Sequence, residues 1–309
     1  MTARVIDGTA IGAAIRGEVR HGVASLAAQG VVPGLSVILV GEDPPSQVYV
    51  RSKAKACVEA GMRSEVVALP ADSTEAQLLA VIDRLNRDDS VHGILCQLPL
   101  PDQIDAERML RRIDPAKDVD GLHPINAGKL VLGDPTGFKP ATPFGVQQLL
   151  VRSEIATRGA HVVIVGRSSL VGRPLANLLS QPGPGADATV TIAHSRSRDL
   201  PGICRTADIL VVAIGRAEFI RADAVKPGAA VIDVGTTRVA DSTRPRGYRL
   251  AGDVAFEEVR EVAGAITPVP GGVGPMTIAM LLVNTLQATM QITDGAAPSP
   301  QPPALSPFE

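Results

Sequence analysis

The chain has 309 residues, 45% of them hydrophobic and 20% charged, with 30 Lys and Arg against 32 Asp and Glu for a net charge of -2. That is enough chain for one large domain or two ordinary ones, and the balanced charge gives no reason to expect a nucleic-acid or membrane-surface partner. Cys57, Cys96 and Cys204 are odd in number and widely spaced, so neither a disulfide framework nor a metal-ligand set is expected, and the expected compartment is the reducing cytoplasm. No signal-peptide layout is read at the N-terminus, and no run of about 18 apolar residues is read as able to span a bilayer.

In chain order, the hydrophobic pattern predicts a helix over 10–29, a strand over 35–40 (LSVILV) and a helix over 46–61 opened by prolines. A strand over 65–69, a helix over 74–87 and a strand over 93–98 (GILCQL) follow. The stretch 114–143, DPAKDVDGLHPINAGKLVLGDPTGFKPATP, is rich in Gly, Pro and Asp with weak periodicity, and reads as a long functional loop. A helix over 142–153 opens a second series, with strands over 161–165, 189–193, 209–214 and 230–234 and a helix over 171–179. These strands are apolar throughout rather than alternating, as strands covered on both faces are, so parallel sheets in an α/β architecture are predicted. Two domains are expected, 1–140 with 275–293 and 141–274, the apolar helix after Pro275 packing back on the first. The tail 294–309 is Pro/Ser/Ala-rich and is expected to be disordered.

The segment HVVIVGRSSLVGRPLANLL is a strand, a glycine turn at Gly166 and Gly172, and a helix, with Ser168 and Ser169 inside the turn. It is not GxGxxG, and a plain tight βα turn is the competing reading. The following strand ends at His194-Ser195-Arg196-Ser197-Arg198, where a dinucleotide fold reaches the adenosine ribose. An acid there would favour NAD; two arginines suit a 2′-phosphate and hence NADP, the alternative being a solvated basic loop. The strand ends at Ile214-Gly215 and Val234-Gly235-Thr236 would line the same crevice.

In the first series, Tyr49 and Lys53 are four residues apart on one helix face, with Ser46 one turn earlier. A Tyr-x-x-x-Lys pair also occurs in short-chain dehydrogenases, but there the glycine turn precedes it; here the order is reversed. A solvated lysine is the competing reading for Lys53. Gln97 emerges from an apolar strand at the end where a site forms, or else ties down the following turn. Asp118 and Asp120 cap a turn or bind a ligand, and His123 beside them reads as structural. Residues 267–277, TPVPGGVGPMT, form a fixed backbone shape at the start of a helix; phosphate binding is the first reading, but the Gly-Lys-Ser/Thr ending of a P-loop is missing.

SQVYVRSK, CQLPLP, KDVDGLHP, GRSSLVGRP, VIDVG and TPVPGGVGPMT occur in this order, and with them residues 3 to 292 closely resemble the bifunctional methylenetetrahydrofolate dehydrogenase/cyclohydrolase family. The resemblance implies an N-terminal catalytic domain, a Rossmann-like NADP-binding domain, tetrahydrofolate substrates and a homodimer. It implies oxidation of 5,10-methylenetetrahydrofolate with NADP, then hydrolysis of the methenyl product to 10-formyltetrahydrofolate. By the same match Lys53 is the catalytic lysine, Gln97 its hydrogen-bonding partner, Tyr49 the residue stacked on the folate ring and Asp120 the holder of the pterin. Gly166, Arg167 and Ser168 match the cofactor turn, Ser195 and Arg196 the 2′-phosphate region, and Thr236 the nicotinamide-side strand end. Pro270, Gly271 and Gly272 fall beside the folate, as a substrate-side hinge rather than a phosphate loop. Ala141 stands where the family often has Cys, and Thr236-Thr237 where it often has Ile-Asn.

Hydride transfer from a folate methylene leaves a resonance-stabilised cation, so the protein's task there is proximity, with no metal expected. Hydrolysis needs a base. Lys53, with a reference pKa of about 10.4, would have to fall to about 7, a change of roughly 4 kcal/mol, to act near neutral pH. Burial and a cationic ligand push that way, and Gln97 can bond the amine without adding charge. Two rivals stand beside this reading: a monofunctional dehydrogenase of the same family, and a non-catalytic dinucleotide-sensing module, which would not need Tyr49, Lys53 and Gln97 together.

Overall fold

The computed structural model describes residues 2–293; the predicted tail 294–309 lies outside the described residues. The chain divides into two compact units, each built on its own parallel sheet.

One unit comprises Ala13–Ala141 and the chain from Ile278 onward. Its sheet has three parallel strands in the order Arg63–Leu69, Gly34–Val40, Gly93–Cys96. The central strand is buried along its whole length, which is why its seven residues carry no polar alternation beyond Ser36. The helix Pro44–Glu59 leaves the carboxyl end of that strand. Asp43 starts it, its Oδ2 accepting from the Ser46 backbone N at 2.9 Å and from Ser46 Oγ at 2.6 Å, with prolines in the first turn. The helix Glu75–Arg87 opens with a reciprocal capping box between Thr74 and Gln77 and buries Leu78, Ile82 and Leu85 against the sheet.

The other unit comprises residues 2–12 and Thr142–Thr277. Its six strands are all parallel, in the order Arg4–Val5, Ala265–Ile266, Ala230–Asp233, Ile209–Val212, His161–Val165, Thr189–Ala193. From His161–Val165 the chain steps outward to Thr189–Ala193 and then returns to pair Ile209–Val212 on the opposite side. That reversal opens a crevice at the carboxyl ends of the two strands.

Several expectations are adjusted. Residues 2–12 group with the six-stranded sheet because Arg4–Val5 pairs with Ala265–Ile266, and the later break falls between Thr277 and Ile278. The stretch 114–143, read as a loop, contains the helix Pro124–Leu132, with Pro124 in its first turn and Gly133 closing it at φ 70°. The strand predicted over 93–98 ends at Cys96, and those over 209–214 and 230–234 end at Val212 and Asp233. Beyond the last two, buried carboxylates take the backbone N–H groups that a continued ladder would have used. An antiparallel pair, Thr237–Ala240 with Tyr248–Ala251, has no counterpart among the predicted elements.

The helix Val273–Thr293, 21 residues with a mean hydropathy of 1.2, is long and apolar enough to cross a membrane, contrary to the reading of no such run. It is a core helix: 67% of its apolar window is buried, and Asn284 donates to the backbone oxygens of Val119 at 2.8 Å and Lys139 at 2.9 Å. An all-round apolar helix is what burial on every side requires.

Candidate functional site

In the three-stranded unit, Lys53 lies on the helix Pro44–Glu59 and Gln97 just beyond the strand Gly93–Cys96. Gln97 is anchored first: its backbone N donates to Ile38 O at 2.9 Å, and its Nε2 donates to Leu98 O at 2.7 Å. That leaves Oε1 as the free acceptor, and Lys53 Nζ donates to it at 2.9 Å. The solvated-lysine reading fails, because Lys53 is only 8% exposed. Burial lowers its pKa, while the carboxylate of Asp120 pulls it back up; the net shift is downward. Burial in turn raises the pKa of Asp120, which the Lys53 charge opposes.

Asp120 and its neighbour Asp118 separate cleanly. Asp118 is the turn builder: its Oδ2 accepts from His123 N at 2.7 Å and Asn126 Nδ2 at 2.8 Å, and its Oδ1 from Leu122 N at 3.2 Å. Burial still pushes its carboxyl up to about 7. Asp120 is half-buried, beside Lys53. Tyr49, one turn before Lys53 on the helix, is 42% exposed, so part of the side chain is accessible to a ligand. His123 is structural as read, its Nδ1 accepting from Ile125 N at 3.1 Å to cap a helix. This group is therefore a shielded amine, a neutral amide acceptor, a carboxyl group and a partly accessible aromatic ring. It can hold a flat, polar ring and move one proton.

In the six-stranded unit, a cleft of ≈ 310 Å³ opens at the reversal point of the sheet. Its walls include Gly166, Arg167, His194, Ser195, Ile214 and Arg216, and no carboxylate is among its lining residues. Gly166 has φ +140°, and a Cβ there would collide with the carbonyl oxygen of Ala213, so the turn requires glycine. Ser168 closes the turn, its Oγ accepting from Val171 N at 3.1 Å ahead of the helix Gly172–Ser180. Two cationic side chains and a glycine turn in an acid-free cleft suit a phosphate-bearing ligand.

The cleft brings Gly166, Arg167 and Ser195 together. Ser168, Arg196 and Thr236 are exposed on the adjoining loops and are not among its lining residues. Pro270, Gly271 and Gly272 sit at the carboxyl end of Ala265–Ile266, where Gly271 has φ +105° and Val269–Pro270 is cis. The sequence reading named His194 only as part of a strand end and missed Arg216 and Phe219 in the cleft and two buried acids, Asp233 and Asp253. The available signal was an acid next to glycine at the end of an apolar run, in VIDVG and again in AGDVA. Among the described residues no His, Cys, Asp and Glu group could hold a metal ion.

Residues 6–120 match the family described as tetrahydrofolate dehydrogenase/cyclohydrolase, catalytic domain, and residues 140–293 match its NAD(P)-binding domain. A relative named bifunctional protein FolD 1, from Myxococcus xanthus, is 58% identical over 289 residues, covering 94% of this chain and 98% of its own. The solved structure of the Campylobacter jejuni bifunctional FolD methylenetetrahydrofolate dehydrogenase/cyclohydrolase superposes with a TM-score of 0.88 at 48% identity, over 94% of this chain and 99% of the other. The Trypanosoma brucei dehydrogenase-cyclohydrolase, complexed with NADP and an inhibitor, superposes with a TM-score of 0.89 at 44% identity, over 94% and 98%.

Proposed function

The chain belongs to the tetrahydrofolate dehydrogenase/cyclohydrolase family, and from that premise we propose how its residues divide the work. The enzyme oxidises 5,10-methylenetetrahydrofolate with NADP and hydrolyses the methenyl product to 10-formyltetrahydrofolate. NADP, when bound, supplies the hydride acceptor. Gly166, Arg167 and Ser168 hold its phosphates at the turn, Ser195 and Arg196 its ribose phosphate, and Thr236 the nicotinamide side. The acid-free cleft with a glycine-only turn supports that assignment.

The observation that carries the hydrolytic assignment is the 2.9 Å bond from a buried Lys53 to neutral Gln97. Water adds to the methenyl carbon, and neutral Lys53 takes a proton from it. The carbon–N5 bond then breaks, N5 takes up the hydroxyl proton, and one proton is released overall. Burial shifts the amine toward its neutral form; Gln97 orients it without adding charge. Asp120 opposes this while ionised. When it accepts hydrogen bonds from pterin N–H groups, its charge is shared with the substrate and its hold on Lys53 weakens. Tyr49 offers the ring on which the pterin stacks.

A homodimer in the cytoplasm is part of this proposal, the compartment being supported by three buried, unpaired thiols. A spectrophotometric assay with methylenetetrahydrofolate tests the function, with NADP and NAD compared and the hydrolysis of methenyltetrahydrofolate followed separately. Methenyl formation that is faster with NADP, followed by its loss, is expected. Oxidation without hydrolysis would leave a monofunctional dehydrogenase, and cofactor binding without turnover a sensing module.

A further inference from the structure

Asp253 is fully buried, yet it makes no ion pair among the described residues. Its carboxylate instead accepts three successive backbone N–H groups: Ile214 at 2.7 Å and Gly215 at 2.9 Å on Oδ2, and Arg216 at 2.7 Å on Oδ1. Those three residues leave the strand Ile209–Val212 at the reversal point, and Ile214 and Arg216 form cleft wall. Asp253 is itself held. The carboxylate of Asp233 accepts from Asp253 N, Gly235 N and Val254 N, each at 2.9 Å, and its own backbone N donates to Thr267 Oγ1 at 2.7 Å. The packing leaves no slack: a Cβ at Gly235 would strike the Asp253 carboxylate, and one at Gly252 the Asp233 carboxylate.

What this chain of bonds presents to the cleft is Arg216. Its guanidinium lies over the Phe219 ring, 4.4 Å from the centroid, and both side chains line the cleft. A guanidinium stacked by one face on a ring keeps its in-plane N–H edge available, the edge that matches phosphate oxygens. No carboxylate lines the cleft to take that edge.

We propose that Arg216 binds a phosphate group of the dinucleotide, and that Asp253 is the positioning residue that presents it. The proposal rests on the NADP reading of the cleft. Two phosphates have the required chemistry, the pyrophosphate and the 2′-phosphate, and the two cofactors separate them.

The test measures KM and kcat of the dehydrogenase with NADP and with NAD for wild type, Arg216→Gln, Asp253→Asn and the double variant. Hydrolysis of methenyltetrahydrofolate, which consumes no cofactor, is the folding control. Asparagine keeps the size of Asp253 but turns an NH2 donor toward backbone donors. Arg216→Gln is expected to raise the NADP KM roughly tenfold with little change in kcat. A rise for NADP alone identifies the 2′-phosphate; an equal rise for both cofactors identifies the pyrophosphate. Asp253→Asn is expected to raise the same KM, and the double variant to fall short of the product of the single effects, since one residue acts partly through the other. An unchanged KM for both cofactors in Arg216→Gln overturns the phosphate role. Full multiplicativity overturns the positioning role. If Asp253→Asn also loses hydrolysis, Arg216→Gln alone decides the phosphate role and the positioning role is rejected in favour of a structural one. A wild type without dehydrogenase activity is a different result, and it removes the NADP reading itself.

Discussion

The two sheets build their sites from opposite materials. Beside the three-stranded sheet the working groups are side chains meeting side chains: Lys53 Nζ on Gln97 Oε1, with Asp120 near the same amine. At the six-stranded sheet the cleft is shaped by backbone: a glycine turn at Gly166, and N–H groups of residues 214–216 gathered by the buried Asp253. The difference fits the tasks proposed for them. Moving a proton requires a side chain whose pKa can be tuned by burial and neighbours. Holding a large, charged, flat ligand requires a fixed surface, and backbone tied down by buried acceptors loses little on binding.

That contrast can be broken most severely on the side-chain site. Lys53→Met is expected to lower methenyltetrahydrofolate hydrolysis by at least about a hundredfold, the lower range for a lost general base. Folate binding stays measurable by titration; wild-type hydrolysis by the purified variant would remove Lys53 from its role. On the backbone site the matching change is Gly166→Ala. The new methyl meets the Ala213 carbonyl at a φ that alanine rarely adopts, so dehydrogenase KM for NADP should rise by roughly ten- to a hundredfold. Hydrolysis in the same sample shows whether the damage stays local.

Gln97→Glu sharpens the comparison through charge. If neutral Lys53 is the base as proposed, the pH–rate profile of wild-type hydrolysis should rise along a limb with its midpoint below 10.5, because burial lowers the Lys53 pKa. A glutamate beside the amine stabilises its protonated form and moves that midpoint up, and the rate at neutral pH should fall by about tenfold for a midpoint one pH unit higher. A midpoint that stays put would mean that the limb belongs to another group. Arg196→Ala, on an exposed loop, is a milder change: a several-fold loss with NADP and little with NAD, by steady-state KM. Equal loss for both would place the 2′-phosphate elsewhere.

The remaining expected effect is on stability rather than on rate. Burial raises the Asp233 carboxyl to about 7, so between its unfolded value of 3.8 and about 7 the folded state holds more protons than the unfolded. Its contribution to stability is therefore full below pH 3.8 and is lost as pH rises through about 7. Asp233→Asn should flatten that part of the Tm profile between about pH 4 and pH 8, and an unaltered slope would show that Asp233 is not the group responsible.

The parallel sheets were legible because their strands are short, β-branched and apolar on both faces, as LSVILV and HVVIV show. Tyr49 and Lys53 were legible as a pair because helical spacing is local. The Lys53–Gln97 contact spans 44 positions, and only the family resemblance connected the two in advance. The helix Pro124–Leu132 was hidden although its proline start and glycine stop were in view, because Gly and Asp density around them outweighed a short apolar run. Strands Thr237–Ala240 and Tyr248–Ala251 pair only with each other and are mostly half-buried, so they carry little hydrophobic signal. Asp233 and Asp253 were out of reach for a different reason. A buried acid in an apolar run looks like an error until the backbone groups that it satisfies are known.

The pairing of Arg4–Val5 with Ala265–Ile266 has a consequence for how the protein is made. The three strands between residues 34 and 96 are neighbours in sequence as well as in their sheet, so they can pair soon after they leave the ribosome. The edge strand Arg4–Val5 has to wait for Ala265–Ile266, the last strand among the described residues, before it gains a neighbour. Such a long-range closure is among the slowest steps open to a chain of this size. A bulky fusion at the N-terminus would thus tax the finishing of the six-stranded sheet rather than its start.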